Sequence, residues 1–161
     1  MRLEPTVRIR RATTADAPGY ARCVGGLFAE DAGTRDDTID QTWPAREAAR
    51  HLLANLSDPS QLFLTAEAGT DVGGILWGRI SPPDPLRTAD KATLLSMYVS
   101  PPLRNRGVGT RLLSAFTDWA RGHGVTRLSV TAHADNADAT RFYRRHGFTP
   151  YHLTLEAGLA P

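Results

Sequence analysis

Residues 94–148 constrain this chain most, because they set a strand, a glycine turn, an amphipathic helix, a second strand and a second helix in an order that few folds accept. Leu95, Met97 and Val99 alternate along one strand face, and Pro101-Pro102 stops the strand. Arg104-Asn105-Arg106-Gly107-Val108-Gly109 then runs straight into an apolar helical period of Val108, Leu112, Phe116 and Ala120. Gly122-His123-Gly124 ends that helix, and Leu128, Val130 and Ala132 share one face of the next strand. Such a strand, helix, strand unit closes as a right-handed parallel crossover, so strands 93–99 and 128–133 belong to one sheet with their C-terminal ends alike. Asp135 or Asn136 caps a further helix with an inner stripe of Ala139, Phe142, Tyr143 and His146. Gly147 supplies its left-handed stop, and Tyr151–Leu155 reads as a final strand. The chemical consequence lies at residues 104–109. The first turn of a helix carries unpaired N–H donors and the positive end of the macrodipole, so glycines that open its backbone make a cradle for an anion such as a pyrophosphate.

The N-terminal half adds a scaffold. Val7–Arg11 alternates as a short strand, Thr13-Thr14-Ala15-Asp16 offers helix caps, and residues 18–28 have helical spacing. Residues 29–43, rich in Gly, Asp and Thr, read as a loop, and 44–56 as a helix rich in alanine and arginine. Residues 61–66 and 72–80 form an antiparallel hairpin around Ala68-Gly69-Thr70-Asp71, and a proline-rich stretch leads to strand 93–99. The expected architecture is a mixed α/β (α+β) sheet, mainly antiparallel, with helices on both faces.

At 161 residues the chain suits one compact domain, 1–161, able to bury roughly two thirds of the surface its unfolded form exposes. Neither a long apolar run nor a leader pattern stands at the N-terminus, so the expectation is a cytoplasmic protein without a membrane partner. The single cysteine, Cys23, excludes an intrachain disulfide and a thiolate zinc site, and the five histidines show no H-E-x-x-H spacing, so no metal is expected. The net charge is only +2, but arginines gather at 104, 106, 111, 121, 127, 141, 144 and 145 while acids gather between 30 and 40. Without a stacking-aromatic pattern or a nucleic-acid motif, this basic half points to an anionic nucleotide cofactor rather than to nucleic acid. The third glycine of a dinucleotide fingerprint is absent, since Leu112 stands there, and no P-loop run exists.

Arg104-x-x-Gly107-x-Gly109 after a strand ending Met97-Tyr98-Val99-Ser100-Pro101, followed by Asn136-x-x-Ala139-x-x-Phe142-Tyr143-x-x-x-Gly147-Phe148, resembles the GNAT superfamily of acyl-CoA-dependent N-acyltransferases. The close match covers about a third of the chain; the variable half before residue 93 is compatible with it. The resemblance implies the acyl-CoA N-acyltransferase fold with two splayed parallel central strands, acetyl-CoA as co-substrate, and a small-molecule amine as the other partner of a monomer or homodimer. It places the pantetheine arm on backbone groups of Met97 and Val99, the pyrophosphate on Arg104, Arg106, Gly107, Val108, Gly109 and Thr110, and a further contact on Asn136.

Direct attack of an amine on the thioester expels a thiolate, and Tyr143 matches the family tyrosine that protonates it. The chain departs from the pattern at Ser96, where many members carry a glutamate or aspartate. His133 is then the candidate proton acceptor, with Glu30 and Asp31 acting through water and attracting a cationic amine such as a polyamine or an aminoglycoside. Failing that, the acceptor pocket lies around Trp43 and Trp77. A rival of another class is an acyl-CoA sensor of the same fold that has lost turnover together with the carboxylate at Ser96.

Overall fold

Four strands that follow one another in sequence pair in that same order. These are β1 (Val7–Arg11), β2 (Gln61–Ala68), β3 (Asp71–Ser81) and β4 (Lys91–Val99), all antiparallel to their neighbours. The fifth, β5 (Arg127–Val130), lies beside β4 and parallel to it, joined through the crossover helix α4 (Val108–Gly122). The sheet is therefore mixed and mainly antiparallel. The computed structural model describes residues 6–161, and the chain divides into two units with the boundary between Thr131 and Ala132. The first unit holds the sheet.

Alternation along β3 explains how helices cover both faces. Ile75 and Trp77 point to the side where α1 (Ala17–Leu27) and α3 (Ala49–Asn55) pack with Tyr20, Cys23, Val24, Leu52 and Phe63. Gly74, Leu76 and Gly78 point to the other side, under α4, whose Leu112, Leu113 and Phe116 are buried. Gly78 is required there: a Cβ on it would stand 2.5 Å from the Phe116 ring. A carboxylate fixes the start of α1. Asp16, 5% exposed, accepts two hydrogen bonds from the Arg10 guanidinium at 2.7 and 2.9 Å and one from the Thr13 N–H at 2.7 Å. These bonds, Arg10 first, hold its carboxyl below the usual carboxylate range. The crossover helix ends as its glycines predict, with Gly124 left-handed (φ 73°), Val125 N–H on the Ala120 carbonyl and Gly124 N–H on the Arg121 carbonyl.

Three expectations change in the first unit. Residues 29–43 do not begin as a loop: the helix runs on through a wide π turn, Phe28–Ala32, into α2 (Gly33–Arg35). Local side chains hold it, since the Thr34 hydroxyl donates to the Asp31 carbonyl at 2.9 Å and Arg35 pairs with Asp31 at 2.7 Å. A second π turn, Pro44–Ala48, precedes α3. The strand expected over 128–133 is only Arg127–Val130, because its ladder with β4 ends at Leu94 opposite Val130.

The second unit, Ala132–Pro161, is built on α5 (Ala137–Arg145). Asn136 is its cap, its side-chain oxygen accepting from Ala139 N–H at 3.1 Å, and Gly147 (φ 88°) closes it, with Phe148 N–H on the Tyr143 carbonyl. The expected strand Tyr151–Leu155 is not formed, and Tyr151, Leu153 and Leu155 are exposed. An alternating pattern becomes a strand only where a ladder partner receives it, and no described residue of this unit is in a strand. No helix among the described residues is long and apolar enough to cross a membrane.

Candidate active site

The glycine turn is built as a backbone site. Pro101–Leu103 forms a single tight turn, Asn105 (φ 58°) and Gly107 (φ 75°) are both left-handed, and Val108, 2% exposed, anchors the first helical residue in the core. Gly107 caps α4 without a side chain, and a Cβ there would meet nothing within 4 Å, so no side chain of the cap residue covers the first turn, whose N–H groups have no partner within the helix. Gly109 and Thr110 continue this turn, and the Arg106 guanidinium reaches the Pro102 carbonyl at 3.4 Å.

Beside the turn, β4 has an open edge. Ser100 N–H donates to the Gly73 carbonyl at 2.8 Å, so the antiparallel alternation points the backbone groups of Met97 and Val99 away from β3. No β5 residue pairs with either, because the parallel ladder ends at Leu94 and Val130. A register shift between Trp77 and Gly78 leaves Leu95 as the extra residue on β4, which bends the strand where the splay begins. An edge left without a β5 partner suits an extended arm by strand addition, as the resemblance implies for Met97 and Val99.

Arg104 is engaged elsewhere. Its Nε donates to the Val99 carbonyl at 2.8 Å, its Nη2 pairs with Glu30, and its guanidinium lies 5.4 Å from the Tyr98 ring centroid. Tyr98 donates to the same Glu30 carboxylate at 3.3 Å, and burial, with that carboxylate next, pushes its hydroxyl pKa up. Arg104 thus ties the end of β4 to the π turn after α1.

On the other side of the sheet lies a cavity of about 330 Å³, lined by Tyr20, Val24, Phe28, Ile39, Asp40, Trp43, His51, Trp77 and Ser96. Its walls are aromatic: Phe28 stacks on Trp43 at 6.0 Å, and His51 meets the Trp77 ring edge-on at 4.5 Å. Trp77 is oriented by its Nε1–H on Gln61 at 2.9 Å. The polar groups are few. The Asp40 carboxylate accepts from Thr42 N–H and hydroxyl at 2.9 and 2.6 Å and from Arg46; these bonds, the Thr42 hydroxyl first, hold its pKa down. Burial pushes the His51 imidazole below its ordinary value.

A model of the Acetyltransferase (GNAT) family matches residues 29–148. The chain belongs to the GNAT acetyltransferase family. Mycothiol acetyltransferase of Clavibacter michiganensis is 27% identical over 116 residues, 72% of this chain and 31% of that protein. Aminoglycoside N(6′)-acetyltransferase type 1 of Klebsiella aerogenes is 28% identical over 104 residues, 64% of this chain and 68% of its own. The chain spans about a third of the length of the mycothiol acetyltransferases it matches. The solved structure of aminoglycoside N-acetyltransferase AAC(6′)-Iy in complex with CoA superposes with a TM-score of 0.76 at 14% identity, covering 99% of this chain and 98% of that one, and shares its fold.

Within this GNAT chain the structure brings some expected residues together and separates others. Met97 and Val99 form the open edge, and Arg106, Gly107, Val108, Gly109 and Thr110 form the turn beside it. Glu30 and Asp31 do not line the cavity: Glu30 pairs with Arg104 and Asp31 with Arg35. His133 lies beyond β5, on the loop before α5, where its carbonyl accepts Asn136 N–H at 2.9 Å. Tyr143 stands on α5 against Phe142 and Phe148, with ring centroids 5.2 and 5.6 Å away. Sequence reasoning missed His51, Tyr20 and Phe28 as cavity residues; Asp40, by contrast, belongs to the acid group between 30 and 40 expected beside the acceptor, and it lines the cavity. The available signal for His51 was its place one residue before Leu52 and three after Ala48, both fully buried, the first in α3 and the second at the end of the π turn before it. Among the described residues no group of three or more His, Cys, Asp or Glu could hold a metal ion.

Proposed function

We propose that this GNAT chain, as a single N-acetyltransferase domain over 1–161, transfers an acetyl group from acetyl-CoA to a primary amine of a small, cationic molecule or a peptide by direct attack in a ternary complex. The observation that carries this reading is the pairing of an open β4 edge at Met97 and Val99 with the uncapped glycine turn at 107–110. The edge suits a pantetheine arm, and the turn, with Arg106, suits a pyrophosphate. The fold neighbour that holds CoA supports the same choice.

Acetyl-CoA supplies the activated acetyl group. The protein's residues bind it, hold the amine, and move two protons. One proton leaves the ammonium before attack, because an alkylamine of pKa about 10 is only about one part in a thousand neutral at pH 7. The second leaves the nitrogen as the C–N bond forms, while a proton is delivered to the departing sulfur. Tyr143 is proposed as the donor to sulfur and Asn136 as a contact to the arm, as the family motif implies. Arg104 contributes by holding the Val99 carbonyl and the end of β4.

The test is thiol release from acetyl-CoA against amines spanning aminoglycosides, polyamines, amino acids and peptide N-termini, with mass spectrometry of the product. Amine-dependent release with an acetylated product is expected. Tight acetyl-CoA binding without release from any amine replaces this reading with the sensor reading, which the serine at position 96 favours.

A further inference from the structure

The cavity between α1, the π turns, α3 and β3 has a composition that the motif does not dictate, and it defines what enters. Six of its nine lining residues, Tyr20, Val24, Phe28, Ile39, Trp43 and Trp77, present rings or aliphatic groups. At about 330 Å³ it lies at the small end of small-molecule sites, which run roughly from 300 to 1,000 Å³. A polyhydroxylated, multiply charged acceptor would leave hydroxyl and ammonium groups against these rings without partners, and each such burial costs about 1–3 kcal/mol. A compact body with one ammonium fits instead, since aromatic faces attract a cation as well as apolar surface.

His51 is the group this cavity leaves unused. It projects from α3 among Trp43, Phe63 and Trp77 at 6.0, 5.8 and 4.5 Å, and neither ring nitrogen has a hydrogen-bond partner among the described residues. An imidazole in such walls without a partner has a free lone pair for a proton that arrives with a ligand. Ser96, where the family's usual carboxylate is missing, lines the same cavity, and β4 presents it opposite Trp77. We infer that the cavity is the acceptor subsite for a compact amine with an apolar, preferably aromatic, body, and that His51 takes the proton from its ammonium.

The inference rests on the acetyl-transfer reading above. In the step, the R–NH3⁺ proton passes to a His51 ring nitrogen, the freed lone pair of the amine forms the C–N bond, the C–S bond breaks, and the second nitrogen proton is balanced by the one delivered to sulfur. His51 then returns its proton to water. The other titratable groups around the ring leave it the role. On α1, burial holds the Tyr20 hydroxyl and the Cys23 thiol protonated, the former pushed far up and the latter to about 11. From the segment before α3, Asp40 faces the cavity with its charge met by Arg46. On α3 and the π turn before it, Glu47 and Arg50 pair with each other at 3.3 Å. β4 contributes only Ser96 to the lining. Since burial lowers the His51 pKa, the ring is neutral and able to accept at pH 7.

The experiment uses the full chain with phenethylamine, spermidine and an aminoglycoside as acceptors, comparing wild type with His51→Phe, which keeps a packed ring, and His51→Gln. Wild type should prefer phenethylamine by at least tenfold in kcat/KM. Its acid limb should lie below pH 6.5, the ordinary imidazole value. Both variants should lose on the order of 10²-fold at pH 7 and recover as pH rises toward the pKa of the amine, because only the neutral amine then reacts. Acetyl-CoA should raise the melting temperature of all three proteins alike. Phenethylamine without cofactor should quench Trp43 and Trp77 fluorescence, and Trp43→Ala should weaken the quench. A wild type that releases thiol while His51→Phe matches it at every pH overturns the proton role. Preference for spermidine or the aminoglycoside overturns the acceptor class. Wild type inactive with every amine overturns the acetyl-transfer reading along with the proton role.

Discussion

The glycine turn and the aromatic cavity lie on the same sheet but are made of different material. The turn is backbone: Asn105 and Gly107 set its path with positive φ, Val108 anchors it, and what it offers a ligand is a row of N–H groups. The cavity is side chain: residues from α1, the π turn after it, the segment 39–43, α3, β3 and β4 converge, and it offers rings, one imidazole and one paired carboxylate. A backbone site must be written contiguously, because each residue's φ fixes where the next N–H points. A side-chain site can draw its members from anywhere the core brings together, so it leaves no contiguous pattern in the sequence.

That contrast predicts separable defects. The largest effect belongs to the turn. Gly109→Glu sets a negative side chain in the turn proposed for the pyrophosphate, so the stabilisation by acetyl-CoA, about 2.7 kcal/mol at a hundredfold excess over Kd, should vanish in thermal melts while amine quenching persists. Next, Tyr143→Phe should lower kcat on the order of 10²-fold with acetyl-CoA affinity unchanged, and equal kcat would return Tyr143 to packing against Phe142 and Phe148. Trp43→Ala should raise the acceptor KM about tenfold, ~1.4 kcal/mol, and leave the acetyl-CoA KM alone. Smallest are Glu30→Gln and Asp31→Asn, whose partners are Arg104 and Arg35 outside the cavity lining; acceptor KM should change less than about threefold and stability by under about 1 kcal/mol, since such partly exposed pairs are weak. A large, salt-sensitive rise in acceptor KM would restore the two acids to the acceptor's path and blur the distinction between turn and cavity.

Legibility followed the same division. The hairpin of β2 and β3, the crossover through α4, the Asn136 cap and the Gly147 stop were all readable, because periodicity and local φ requirements act within a few residues. The helical continuation to Arg35 was not, because it depends on Thr34 and Arg35 bonding back to Asp31 across a wide turn that no 3.6-residue period marks. The pairing of Glu30 with Arg104 joins positions 74 residues apart, and no local pattern encodes it. His51 was passed over because a lone histidine in an alanine-rich helix carries no motif; its meaning comes from Trp77 and Ser96, supplied by two different strands.

The most direct measurement is thiol release from acetyl-CoA by the wild-type chain, with and without a panel of primary amines, followed by the mass of amine and enzyme. The account predicts release that requires the amine, an amine product one acetyl group heavier, and an enzyme of unchanged mass, as direct attack in a ternary complex demands. Release that leaves the acetyl group on the enzyme, or no release from any amine while acetyl-CoA still stabilises the fold, would contradict it.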